Sequence, residues 1–64
     1  MDNDAIKKYI GKCCNIFATG GLGLNIEIGK IIEVNGNWVE VETKKGMELI
    51  NVRFIQCIKL DQNR

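Results

Sequence analysis

The chain has 64 residues, 45% of them hydrophobic and 27% charged, with nine basic and eight acidic side chains and a net charge of +1. That length allows one domain at most, the composition excludes disorder over most of the chain, and the charge excludes attachment to nucleic acid by bulk electrostatics alone. A chain this short buries only about 60% of the surface it exposes when unfolded, so self-association is an expected source of added stability. Three cysteines and no histidine suit a reducing cytoplasm better than a disulfide framework. The opening MDNDAIKKYI begins with acids and does not read as a signal peptide. The longest uncharged run, residues 13–26, is broken by three glycines and is too short to span a bilayer. The expectation is a cytoplasmic chain with no membrane association.

The first predicted element is a helix over about residues 3–10. Asp2, Asn3 and Asp4 are N-cap candidates, Ile6, Tyr9 and Ile10 form one stripe, and Gly11 suits the C-terminal cap. A first strand follows in KCCNIFA, residues 12–18, with Cys14, Ile16 and Ala18 on one face. TGGLGLN, residues 19–25, reads as a loop. IEIGKIIEV, residues 26–34, is a long strand, and Gly29 inside it marks a bulge or bend.

Asn35-Gly36 between two β-rich runs is a strong hairpin signal, and WVEVET, residues 38–43, alternates cleanly. A two-residue Asn35-Gly36 loop sets Ile32 opposite Val39, with Ile32, Val34, Val39 and Val41 on one face and Glu33, Trp38, Glu40 and Glu42 on the other. KKG, residues 44–46, then predicts a three-residue hairpin with Gly46 in the left-handed position, Val41 facing Leu49 and Glu42 facing Glu48. The fourth strand is about residues 47–51 and the fifth about 55–60.

Between those last strands INVRFIQCI, residues 50–58, mixes periods of two and three. One tight 3₁₀ turn over Val52–Phe54 accounts for the mixture and points Val52, Ile55 and Ile58 inward. Five short strands joined by tight turns make an antiparallel sheet, and hiding its edges favours a small closed barrel.

This order resembles the Sm-like (LSm and Hfq-type) family: an N-terminal helix on a five-stranded SH3-like barrel. Two patterns carry the likeness. Gly29, Ile31, Val34 and Asn35 follow the first Sm motif, and Ile50 to Ile58 follow the apolar spacing of the second. Asn51 and Val52 stand where the Sm motif has arginine and glycine, and where the Hfq type has lysine and histidine. The resemblance implies a homo-oligomer, with a ring as its form, and RNA as a ligand. It places Asn51 and Arg53 at the pore, with Asn37 nearest to the base-contacting asparagine of the family.

Other features carry less chemistry. The glycine-rich 19–25 segment precedes a strand rather than a helix and has no P-loop lysine, so it is no phosphate cradle. Cys13 and Cys14 point to opposite faces of a strand and do not share an ion; neither a metal nor a cofactor is expected. Without histidine, no carboxylate or lysine stands in a catalytic constellation, so no catalytic residue is predicted. Glu27, Glu33, Glu40, Glu42 and Glu48 read as a solvated outer face. Lys7, Lys8 and Lys12 cluster near the helix, which adds Lys7 and Lys8 to the RNA-binding candidates. Tyr9, Phe17, Trp38 and Phe54 are aromatic platforms or packing residues. Trp38, Leu22 and Leu24 are candidate partner contacts. They define the alternative reading, an SH3-like structural or protein-interaction module with no nucleic-acid role.

Overall fold

The computed structural model describes residues 3–20 and 23–61. In chain order it has α1 (Asp4–Lys7), β1 (Cys13–Gly20), β2 (Gly23–Asn35), β3 (Trp38–Thr43), β4 (Gly46–Asn51), a 3₁₀ turn (Val52–Phe54) and β5 (Ile55–Leu60). The strands form one antiparallel sheet in the order β4-β3-β2-β1-β5. The sheet is open. β4 and β5 are its two edges and share no ladder, so the expected closed barrel is not formed within one chain. The short turn after β4 leads to the other edge, where β5 pairs only with β1.

β1 and β2 extend further toward each other than expected. Thr19 pairs with Leu24 and Gly20 with Gly23, so most of the predicted loop is strand. The helix is shorter than expected. After Lys7 the backbone tightens, with Tyr9 N–H donating to Ile6 O and Ile10 N–H to Lys7 O. Ile6 and Tyr9 still pack on the core, while Ile10 is exposed.

The core consists of Cys14, Ile16, Ile31, Val34, Val39 and Val41, with Ile6, Tyr9, Ile50, Val52, Ile55 and Ile58 packed against it. Ile31, not Ile32, faces inward, which corrects the expected face of β2. Two observations account for this. The β2–β3 turn lies one residue later than expected: Asn35 pairs with Trp38 and Val34 with Val39, leaving Gly36 and Asn37 as the loop. Gly36 takes φ +61° and no non-glycine residue among the described ones has positive φ, the pattern of a hairpin turn that needs glycine at its first central position only. The register then shifts between Ile31 and Glu33, so Ile32 is the extra, bulged residue and Ile31 pairs with Val41. Ile31 and Val34 are three apart, and only a bulge lets both point inward. On its other side Ile31 is held by Gly11 and Lys12: its N–H donates to Lys12 O (3.2 Å) and its carbonyl accepts from Gly11 N–H (2.6 Å).

The β3–β4 hairpin also differs. Its loop is Lys44-Lys45, with Thr43 paired to Gly46; Gly46 does take a positive φ, of 128°. The Thr43 hydroxyl closes the turn, donating to Gly46 O and accepting from Lys45 N–H, both at 3.1 Å. Val41 therefore faces Glu48, and Glu42 faces Met47. Glu48 joins the inner face, while Leu49 turns outward and is exposed.

β2 curls the sheet. Glu27 and Glu48 share a side-chain hydrogen bond, although in a flat sheet with this register their Cα atoms would lie roughly 16 Å apart. The bend passes Gly29. A Cβ there would meet Glu42 O at 2.5 Å and Val41 Cγ1 at 2.8 Å.

Candidate nucleic-acid interface

The 3₁₀ turn is built by its own first residues. Asn51 is its N-cap, and the Asn51 Oδ1 accepts from Arg53 N–H at 2.9 Å. Val52 turns toward the core, and its N–H donates to Asn37 O at 2.7 Å. That bond ties the turn to the β2–β3 loop. Asn3, ahead of α1, donates its side-chain amide to Gly36 O and draws the helix start to the same loop. The result is an open depression of ≈550 Å³ lined by Asn3, Asn37, Val52 and Arg53.

The structure therefore brings Asn37, Asn51 and Arg53 together, from segments 14 to 16 residues apart in sequence. It divides their roles. Asn51 Oδ1 caps the turn, whereas Arg53 is exposed and its guanidinium offers a planar fork suited to phosphate. Asn37 is exposed as well and carries both a donor and an acceptor. Lys7 and Lys8 do not line the depression. Lys7 makes a long, exposed ion pair with Asp4 (3.9 Å), a type of contact worth little, and Lys8 is exposed at the end of α1.

Two aromatic residues border this end of the sheet. Phe54 is half exposed at the last position of the turn, and Trp38 is the cross-strand neighbour of Asn51. The neighbourhood of Trp38 and Asn51 depends on the β3–β4 register, which the alternation of WVEVET alone does not specify. Phe17 is half buried on the outer face, with the Lys59 ammonium 5.6 Å from its ring centre. Leu24 is exposed at the opposite end of β2 from Trp38's partner Asn35, so Leu24 and Trp38 do not form one contact patch. Leu22 lies outside the described residues.

The cysteines occupy three environments. Cys14 is fully buried and donates to Lys12 O at 3.4 Å; burial, then the neighbouring Cys13, pushes its thiol up, against a smaller lowering by Lys12. Cys13 is half buried and Cys57 exposed. Among the described residues no group of three or more metal-ligating side chains converges. No helix among them is long and apolar enough to cross a membrane.

The expected solvated acidic face holds for Glu33 and Glu42, and Glu40 lies on it half buried. Glu27 and Glu48 correct it, because both point into the curled sheet. Burial raises the Glu27 carboxyl above its ordinary value of 4.5; the Glu48 charge and the hydrogen bond between them add to the rise, and Lys45 partly offsets it. A raised carboxyl means that the folded chain holds this proton more tightly than the unfolded chain. Its contribution to stability is therefore greatest below the unfolded value and is lost as pH rises through the folded one. Glu27→Gln is expected to raise the melting temperature at pH 7 and to leave it nearly unchanged at pH 4. Thermal melts across that range check this, and equal shifts at both ends would contradict it.

Comparisons with protein-family models, with curated proteins and with solved structures find no significant match to this chain.

Proposed function

We propose that this chain is a small, non-enzymatic Sm-like β protein that associates with copies of itself through its two sheet edges and binds RNA at the 3₁₀ turn. The observation that carries the reading is the placement of that turn. It joins two unpaired edge strands, and it displays Arg53 beside Asn37. Edge strands present rows of open N–H and C=O groups that invite pairing with another chain. The two edges differ in charge on the outer face: Glu40 and Glu42 lie beside β4, whereas Lys59 lies on β5. A β4 edge therefore complements a β5 edge better than it complements itself, which favours head-to-tail contacts and closure into a ring. Such an assembly pairs both of the edges that one chain leaves open.

Each added copy repeats Arg53, and phosphate attraction grows with the number of cations presented. Phe54 beside it offers a stacking surface for unpaired bases. Filter binding with mixed oligoribonucleotides tests the reading. Arg53→Ala is expected to weaken binding by about tenfold or more, equivalent to about 1.4 kcal/mol, and to flatten its salt dependence. Binding that is absent at low salt, or unaltered by Arg53→Ala, would sink the RNA assignment. Small-angle scattering that gives a monomer at high concentration would sink the edge assembly.

A second reading is an SH3-like protein-interaction module with no nucleic-acid role. The exposure of Trp38, Leu24, Ile26, Ile28 and Leu49 favours it, because large apolar groups left in water mark contact surfaces. No RNA binding together with intact self-association is its signature.

A further inference from the structure

The outer surface of the curled sheet carries two apolar faces with opposite charge. The first spans β5, β1 and the N-terminal half of β2. Cys57, Phe17 and Ile26 form one cross-strand row, and Lys59, Asn15 and Ile28 the next. Ile26 and Ile28 are each 56% exposed and Leu24 is 59% exposed. Four lysines rim this face: Lys59 over Phe17, and Lys30, Lys44 and Lys45 beside Ile26 and Ile28. Glu27, Glu42 and Asp61 share the rim, so the four lysines leave it an excess of one positive charge.

The second face lies on β3, β4 and the C-terminal end of β2. Trp38 (47% exposed), Met47 (52%) and Leu49 (64%) point outward there. Glu33 and Glu40 stand among them, and Glu42, paired across the ladder with Lys30, lies at the border between the two faces. No lysine or arginine occupies an outward position of β3 or β4. Trp38 on this face and Ile26 on the first belong to the inner strands β3 and β2, so edge pairing through β4 and β5 leaves both uncovered.

We propose that these two faces dock on each other between copies, the lysine-rimmed Phe17–Ile26–Ile28 face of one chain against the Trp38–Leu49–glutamate face of the next. Each face supplies what the other lacks. The apolar centres cover one another, and the lysine rim meets the glutamates, so the charges that would remain unpaired in contact with a neutral partner are matched. A second copy is the favoured occupant because the complementary surface is already present on this chain. The contact is heterologous, since different surfaces meet, and every docked copy leaves one face of each kind open. It is independent of the edge contact.

Sedimentation velocity on the wild type, Ile26→Glu and Trp38→Lys tests this. Both positions are exposed, on inner strands, and a melt of each variant verifies that it folds; Ile28→Glu and Glu40→Lys serve as the second variant on each face. Each substitution puts a repelling charge at the centre of one face and leaves the other intact. Each variant alone is expected to sediment as a smaller species than the wild type. Their equimolar mixture is expected to form a larger species than either, because the intact face of one variant meets the intact face of the other. Variants that shrink to monomers, with pairs only in the mixture, support face docking and tell against edge pairing. Variants that keep the size of the wild type, a mixture no larger than its components, or a wild type that remains monomeric would each overturn the proposal. The first of these leaves edge pairing standing.

Discussion

Ile31→Ala is expected to lower the unfolding free energy by about 3 kcal/mol, while Ile32→Ala changes it by less than about 1 kcal/mol. The two isoleucines are neighbours of identical composition, and only the bulge separates their fates. Ile31 is fully buried opposite Val41, whereas Ile32 is the unpaired, exposed residue of the irregular step. Removing three carbons at Ile31 leaves a cavity beside Cys14, Val39 and Val41, which β strands held by ladders on both sides cannot collapse to fill. For a chain of this length total stability is roughly 3–10 kcal/mol, so the Ile31 variant stands near its unfolding threshold. Urea unfolding followed by the fluorescence of Trp38, the single tryptophan, measures both. Equal costs at the two positions, or a greater cost at Ile32, would mean that the register of β2 against β3 is wrong.

Gly29→Ala is expected to cost about 3 kcal/mol or more, and Gly29→Val to prevent folding. In an unstrained, open position glycine to alanine stabilises by about 0.4–1 kcal/mol, because it restricts the unfolded chain. At Gly29 the sign reverses because of space. The backbone here is in an ordinary region, but the new methyl would lie 2.5 Å from the Glu42 carbonyl oxygen and 2.8 Å from Val41 Cγ1. Both belong to the adjacent strand, so relief requires β3 to move away from β2, breaking the Gly29–Thr43 and Lys30–Glu42 pairing. The same substitution should also open the curl that brings Glu27 to Glu48, which removes the pH dependence described above along with the stability. A Gly29→Ala protein that melts like the wild type would show that β2 does not pass β3 this closely.

Several elements were legible because their signals are local. The cleanly alternating WVEVET is β3 over the residues expected, and the 3₁₀ turn and β5 also fall where the steps of two and three placed them. The inward set Cys14, Ile16 and Ala18 needed only the period of a strand. The grouping of these candidate residues was legible in part for the same reason: Asn51 and Arg53 belong to one short turn, and Asn37 lies in the adjoining β2–β3 loop. Its assembly from Asn3, Asn37 and Arg53 was not legible, because the bonds from Val52 N–H to Asn37 O and from Asn3 to Gly36 O join distant segments.

The hairpins show where local reading stops. Asn35-Gly36 and Gly36-Asn37 both satisfy the chemistry of a tight turn, so residues 35–37 do not choose between them. Pairing Val34 with Val39 and bonding Ile31 to Gly11 and Lys12 makes the choice, and each draws on chain far from the turn. Likewise KKG permits loops of two or three residues, until the Thr43 hydroxyl closes the shorter one and turns Glu48 inward. The identity of the strands, their order along the chain and most of their inner faces therefore follow from residue chemistry over a few positions. The bulge at Ile32, the Glu27–Glu48 pair, and the separation of β4 from β5 as open edges arise only when the curled sheet is assembled. They depend on contacts whose free energy exists only once segments distant in sequence have met.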